Sequence, residues 1–364
     1  MQVIVVGAGI SGLSAAWALA RRGHRVTLLE RDVVPNPLGA SGDHHRIIRR
    51  AYTIPGYTQR MTEGFAAWEE LWGDLGAEHI ARIGFMSFIR ETGDHGDVYR
   101  DGLVRGGYPF ETLTREAAVA RFPYLDPHGF REAFVSPEGG ALMCLRIAAD
   151  MVRWLRARNV VVRENATVRN IDTAAASVTL ADGERLSADA VVVTAGAWVT
   201  QLMPDLAGRL ASKRTYVAYL EPPDEFRAAW ERTPAIPGVG LNIGGYILPP
   251  VAGTDLKFGA GATRVDWTVD TSFELPDNAG ERLRDLFTPL FRRLETYRVK
   301  RVRKCVYTFT ADDRFFATRR GAAWIVSACS GHGYKFGAAI GRRIADALES
   351  GDDKALTAWL EARD

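Results

Sequence analysis

Three glycines and an acid near the start of the chain have the types and spacing for dinucleotide chemistry. Gly7, Gly9 and Gly12 stand as G-x-G-x-x-G, and Glu30 follows 18 residues after the last of them. The first glycine permits a tight turn, the second leaves room for a pyrophosphate against bare backbone, and the third lets a helix pack closely on a strand. The start of that helix offers unpaired N–H groups and a partial positive charge to phosphates. Glu30 is placed to accept hydrogen bonds from ribose hydroxyls. An acid here suits NAD and FAD alike and disfavours NADP, so the motif alone does not separate the two.

A second group lies near the other end. The stretch Ser327 to Asp346 carries Gly333, Gly337 and Gly341, one per turn of an expected helix, with Lys335 in its first turn. Glycine inside a helix costs roughly 0.5–1 kcal/mol relative to alanine, so that face must meet something at close range. A cation at the positive end of a helix is disfavoured, and a bound carboxylate offsets this. Arg46 and Arg49 flank the apolar Ile47-Ile48, which places them at the edge of a core, and Arg49 can add a bidentate carboxylate contact. Cys305 lies in the alternating run KCVYTFT. Lys304 points to the opposite face of such a strand and does not lower the thiol pKa directly. Spacing alone favours a buried, inert Cys305. Cys144 and Cys329 read as core cysteines. No two of the seven histidines share a face at metal-ligand spacing, since His44 and His45 point apart on a strand, and no metal site is expected.

These residues need a frame. Val3 to Val6 read as a strand buried on both faces, Leu13 to Arg22 as a helix ended by Gly23, and Arg25 to Leu29 as a second strand. Together they form a βαβ unit. The apolar run from Ala188 to Val199 returns to the same sheet and turns at Thr194-Ala195-Gly196. A ligand contact and an ordinary turn are equally open there. This returning strand, the fingerprint at the very start and the glycine-rich C-terminal helix together favour FAD over NAD. Phe65, Trp68 and Trp72 have helical spacing and read as the buried side of an amphipathic helix. Thr114 is an N-cap for a helix over residues 115–121, which Pro123 stops. The stretch around Leu256 to Gly259 alternates in β fashion.

Composition narrows the class. The chain has 364 residues, 47% hydrophobic and 25% charged, the profile of a globular protein of two domains or of one with an insertion. Its 46 basic and 44 acidic residues leave a net charge of +2, with no block of like charge. No nucleic-acid partner and no membrane surface is expected. The three cysteines include no CxxC pair, so neither a disulfide framework nor a zinc site is expected. No apolar run has membrane-spanning length and no signal-peptide pattern opens the chain, which makes a cytoplasmic protein the expectation.

The whole set of motifs resembles the D-amino-acid-oxidase superfamily of flavoproteins, and within it the subgroup of monomeric sarcosine oxidase and N-methyl-tryptophan oxidase. The resemblance runs along nearly the whole chain. It rests on Gly7 to Gly12, HRIIRRAY (His45 to Tyr52), LKFG (Leu256 to Gly259), KCVYTFTADDRF (Lys304 to Phe315) and SGHGYKFG (Ser330 to Gly337). The first is generic to dinucleotide binders; the last three together are specific to the subgroup. The resemblance implies that Cys305 attaches covalently to the flavin 8α-methyl. It implies that Lys257 lies over the flavin face and activates oxygen, that Arg49 and Lys335 bind the substrate carboxylate, that Arg46 lies close to the flavin ring, and that Tyr246 and Tyr307 line the substrate cavity. Two departures stand out. The family has His-His-Gly-Asp-Thr before its arginines, whereas this chain has Ser41-Gly42-Asp43-His44-His45. A family histidine four residues beyond the oxygen-activating lysine falls at Gly261, which implies a roomier pocket and a bulkier or cyclic substrate in place of sarcosine.

The expected fold class is α/β with an α+β substrate domain. A discontinuous Rossmann-like FAD-binding domain is expected over residues 1–80, 145–210 and 300–364, and a mainly antiparallel substrate domain over residues 81–144 and 211–299. The expected catalytic residues are Lys257, Arg46 and Arg49, and the substrate-binding residues Arg49, Lys335, Tyr246 and Tyr307. The expected cofactor set is Gly7, Gly9, Ile10, Ser11, Gly12, Glu30, Arg31, Ser41, Arg46, Gly196, Trp198, Cys305, Gly331, Gly333, Tyr334 and Lys335. The function implied is an FAD-dependent amine oxidase that turns an N-substituted or cyclic amino acid into an imine and oxygen into hydrogen peroxide, as a monomer or homodimer. A dehydrogenase using another electron acceptor and a non-catalytic flavin-binding subunit are the alternatives.

Overall fold

The computed structural model describes residues 1–239, 243–327 and 329–363. The chain opens with β1 (Gln2–Val6), α1 (Ile10–Arg21) and β2 (Arg25–Leu29). β1 and β2 pair in parallel, Val3 opposite Val26 and Val6 opposite Leu29. Val3, Val5 and Leu28 are buried because α1 covers that face; Ile4, Val6 and Leu29 are buried in a second cluster on the other face. β3 (Arg46–Arg49) pairs antiparallel with Gly139–Leu142. α2 (Pro55–Leu75) follows, with Trp68 and Trp72 buried and stacked at 5.1 Å, as the aromatic spacing predicts.

β4 (Ala190–Val193) returns to the first sheet on the far side of β1, parallel to it, Val3 opposite Ala190. β5 (Ala211–Glu221), β6 (Gly245–Leu248) and β7 (Leu256–Ala260) build an antiparallel sheet in which β7 lies between β5 and β6. β8 (Arg298–Phe309) pairs antiparallel along most of β5. β9 (Ala323–Ser327) rejoins the first sheet beside β4, and α3 (Gly337–Ser350) lies on α1. The first sheet has six strands, five of them in parallel pairs and an antiparallel edge at Phe316–Arg320. The fold class is therefore the expected α/β, a Rossmann-like parallel sheet joined to antiparallel sheets.

The C-terminal glycines correct one expectation. The helix begins at Gly337, and Gly333 and Lys335 fall in a separate 3-10 turn, Gly333–Phe336. The close neighbour that the glycine face requires is α1. A Cβ on Gly337 would lie 2.3 Å from Ile10 Cγ1, and one on Gly341 2.3 Å from the Ser14 carbonyl. Two helices cross here at backbone contact, which only hydrogen permits. This seating fixes the turn that carries Lys335.

Candidate active site

A cavity of about 620 Å3 runs from the glycine motif to the antiparallel sheet. At its first end, Gly7 adopts φ +99°, and a Cβ on Gly12 would lie 1.8 Å from Gly7 O and 2.6 Å from Thr194 Oγ1. The motif glycines are thus demanded by close packing of α1 against β1 and the turn after β4. Ile10 N–H donates to Ser41 Oγ at 2.9 Å, and no acidic side chain occupies the first turn of α1. That leaves the helix start free for phosphate. Glu30 is buried, with one oxygen accepting from Ala8 N–H at 2.9 Å and the other from Asp32 N–H at 3.1 Å and Asn36 Nδ2 at 3.2 Å. Burial pushes its pKa up, and these donors oppose that. Arg31 stacks on Trp198 at 5.0 Å, and both line the cavity beside Gly196, whose φ is +54°.

At the other end, β3 delivers two arginines with different partners. Arg46 pairs with Asp43 and donates to Ala40 O at 2.8 Å; its guanidinium lies 3.4 Å from Tyr307 OH and 3.6 Å from Cys305 Sγ. Arg49 is held between the rings of Tyr52 and Tyr99, each 4.4 Å away, and donates to Tyr99 OH at 3.0 Å. Its Nη1 is buried without a partner among the described residues. Lys335 is 6% exposed, donates to His332 O at 3.1 Å, and lies 5.3 Å from the Tyr52 ring. Burial, then Arg49, hold its pKa well below the usual lysine value. Among the described residues no carboxylate pairs with either cation. Buried charge without a counterion is costly, so the pair fits an anion.

Sequence reasoning missed the groups that shape this end. Tyr52 and His332 lie inside the HRIIRRAY and SGHGYKFG stretches without an expected role, and Tyr99 lies in no motif; their ring contacts with Arg49 and one another form only on folding. His332 donates from Nε2 to Asp313 O at 2.8 Å, and burial with Lys335 beside it pushes its pKa down to about 3. It is neutral, and its Nδ1 has no partner among the described residues.

Lys257 sits mid-strand in β7, opposite Tyr219 on β5, and is fully buried. Its ammonium donates to Asp43 Oδ2 at 2.6 Å and to His45 O at 2.9 Å. Tyr219 OH donates to the other Asp43 oxygen. Lys257 is not among the residues lining the cavity; the Tyr246 ring, which lines it, lies 5.6 Å from the ammonium. Burial and Arg46 lower the Lys257 pKa to about 8, while Asp43 pulls it back up.

The cysteines divide unexpectedly. Cys144 is fully buried, as expected, but Cys329 is half-buried and lines the cavity, so it is not a core cysteine. Cys305 shares a strand face with Tyr307 and Phe309, and burial raises its thiol pKa while Arg46 opposes the rise. Lys304 lies against Phe273 on the other face, as alternation requires. The space beside Gly261 is also filled: the Arg264 guanidinium carbon lies 3.3 Å from where a Cβ would stand. Apart from Gly12, Cys305 and Lys257, every residue expected to bind cofactor or substrate lines the cavity.

Residues 2–347 match the family described as FAD dependent oxidoreductase. The chain belongs to this family. Relatives of this FAD-dependent oxidoreductase include a probable sarcosine oxidase of Arabidopsis thaliana, 26% identical over 95% of this chain and 87% of that one. The monomeric sarcosine oxidase of Bacillus sp. (strain B-0618) is 25% identical over 96% and 92%. The human peroxisomal sarcosine oxidase is 28% identical over 56% of this chain and 53% of that protein. The fold is shared with NikD, an amino acid oxidase essential for nikkomycin biosynthesis, at a TM-score of 0.78, 21% identity and 96% and 94% coverage. It is shared with Amadoriase II from Aspergillus fumigatus at 0.81, 20% identity and 99% and 88% coverage. The residues present fit FAD. Glu30 and the α1 start would hold its adenosine and phosphates, and the Thr308 and Ser327 hydroxyls are buried in the cavity wall with no partner among the described residues. No described helix is long and apolar enough to cross a membrane.

Proposed function

We propose that this oxidoreductase oxidises the C–N bond of an N-substituted or cyclic amino acid to an imine, with oxygen reduced to hydrogen peroxide. The observation that carries the reading is the pair Arg49 and Lys335, two buried basic groups in the cavity wall with no carboxylate partner among the described residues, so that an anion bound between them restores the lysine charge. A carboxylate neutralises both, and the Tyr52 and Tyr99 rings hold Arg49 in place for it. The relatives named as sarcosine oxidases support an amine bearing a carboxylate. FAD held at Glu30 and the α1 start would supply the two-electron acceptor for the substrate and the donor for oxygen.

The chain's own residues do the rest. Arg49 and Lys335 fix the carboxylate, and Tyr246 and Tyr307 wall the space beside it. Arg46, locked by Asp43 and Ala40, keeps a fixed positive charge near the ring position. Lys257 adds a second positive charge behind Tyr246 for the oxygen step. Cys305 is the proposed covalent attachment point, with Arg46 assisting its ionisation.

The test compares an amino acid with the matching amine that lacks the carboxylate, reading flavin bleaching without oxygen and peroxide with it. Truncating a buried charged partner costs about 2–5 kcal/mol, so the amine should be far the poorer substrate. Equal oxidation of both, or an Arg49→Ala variant with unchanged kinetics, overturns the amino-acid reading. Bleaching without peroxide, but with turnover on an artificial acceptor, favours a dehydrogenase.

A further inference from the structure

Arg264 has no role in the reading above. It follows the short turn Gly261–Thr263, which is firmly anchored. Gly261 N–H donates to Gly244 O at 3.2 Å, Ala262 N–H to Ile243 O at 3.0 Å, and the Thr263 hydroxyl lies 2.7 Å from that of Thr215. From this fixed base the guanidinium bends over the cavity wall. It lies 4.8 Å from the Phe309 ring, and its Nη2 is 3.1 Å from where a Cβ on Gly331 would stand. The residue as a whole is exposed, which puts the charge at the cavity mouth with its head turned to the lining. Glycine at both 261 and 331 is what lets the head settle there.

Among the described residues the Arg264 guanidinium makes no hydrogen bond and no ion pair. Asp313 also lines the cavity and feels Arg264 at a distance, but the two are not in contact. Arg264 acts on His332 from the same region as Arg49 and Lys335. Three basic side chains, Arg49, Lys335 and Arg264, therefore stand around His332 in the cavity, and among the described lining residues Asp313 is the acid beside them; Arg46 has its own partner in Asp43. A substrate with one carboxylate satisfies Arg49 and Lys335 and leaves Arg264 bare.

We infer that Arg264 is a specificity-determining residue that takes a second anionic group, so that the substrate class is amino acids whose side chain ends in a carboxylate. This rests on the proposed amino-acid oxidation and adds the side chain to it. A planar guanidinium over an aromatic ring, open on one side, suits bidentate carboxylate recognition.

The experiment uses the FAD-loaded enzyme and its Arg264→Gln variant. One arm compares N-methyl-aspartate with N-methyl-asparagine, its neutral isostere, by anaerobic flavin reduction. A second arm measures, by calorimetry, binding of the dicarboxylate succinate against the monocarboxylate butyrate, which needs no turnover. Hydrogen bonds to charged groups are worth about 1.5–3 kcal/mol, so a preference of about tenfold or more for the acidic member is expected in both arms. Arg264→Gln should erase the preference and leave the neutral member unchanged. Equal handling of acidic and neutral members overturns the inference. So does a preference that survives in Arg264→Gln, and so does one that appears only in association rate and vanishes with salt, which would make Arg264 a steering charge. If no amine reduces the flavin, the amino-acid reading fails, and the calorimetric arm still decides whether Arg264 holds the second carboxylate.

Discussion

Lys257 and Asp43 meet at 2.6 Å where neither side chain reaches solvent, at 0% and 2% exposure. The carboxylate is held well below its usual range by Lys257 and Arg46, and the amine is lowered to about 8 by burial and Arg46. The charged groups nearest the ammonium are Asp43 and Arg46, with Arg303 3.7 Å from the other Asp43 oxygen and the neutral His45, Tyr246 and Cys144 beside them. The amine is charged below about pH 8 and neutral above it. If its charge assists oxygen, the rate constant for flavin reoxidation falls as pH rises through about 8. Stopped-flow reoxidation across this range checks it. Asp43→Asn removes the group that pulls the lysine pKa up, so the midpoint should move to lower pH.

Lys257→Met should separate the two half-reactions. Preorganised charge in a dry site contributes several kcal/mol, on the order of a thousandfold in rate. Reoxidation by oxygen should slow by up to that factor, while anaerobic reduction by substrate changes little. Equal slowing of both steps would assign Lys257 a structural role through Asp43.

The cysteines give a clean contrast. Acid-precipitated enzyme should keep its yellow colour in the pellet. Cys305→Ser should release the flavin to the supernatant, and Cys329→Ser should not, although Cys329 is the thiol that lines the cavity. The reverse result would move the attachment point to Cys329.

Gly341→Ala tests the helix crossing. The new methyl would lie 2.3 Å from the Ser14 backbone, which a side-chain rotation cannot relieve. Overpacking of this kind costs typically about 1–3 kcal/mol. Thermal unfolding should show a lower Tm. Because α3 carries the Lys335 turn, apparent affinity for the amino acid should weaken as well. Gly73→Ala, with nothing within 4 Å of its Cβ position, should cost nothing comparable and serves as the control.

What the residues determine locally was legible in the sequence. The β1–α1–β2 unit follows from a buried apolar run, a helical run closed by Gly23 and a second strand, all within thirty residues. The need for glycine at 12 follows from the same short-range sterics, its colliding atom being Gly7 O, whereas at Gly7 the colliding atom is Thr194 O, brought by the fold from the turn after the distant strand β4. The Trp68 and Trp72 stripe and the Thr114 cap likewise depend on periods of a few residues, which a sequence displays directly.

The charge arrangement was decided only by the tertiary structure. Lys257 and Asp43 are 214 residues apart, and no spacing rule connects them. That the Lys257 charge is shared with a carboxylate, that Cys329 faces the cavity, and that Arg264 lies against Phe309 and Gly331 all depend on which segments the fold brings together. A sequence shows which groups can carry charge. Whether a charge is paired, buried or left bare is set by neighbours brought from distant parts of the chain, because Coulomb interactions and desolvation depend on distance in space and not on separation along the backbone.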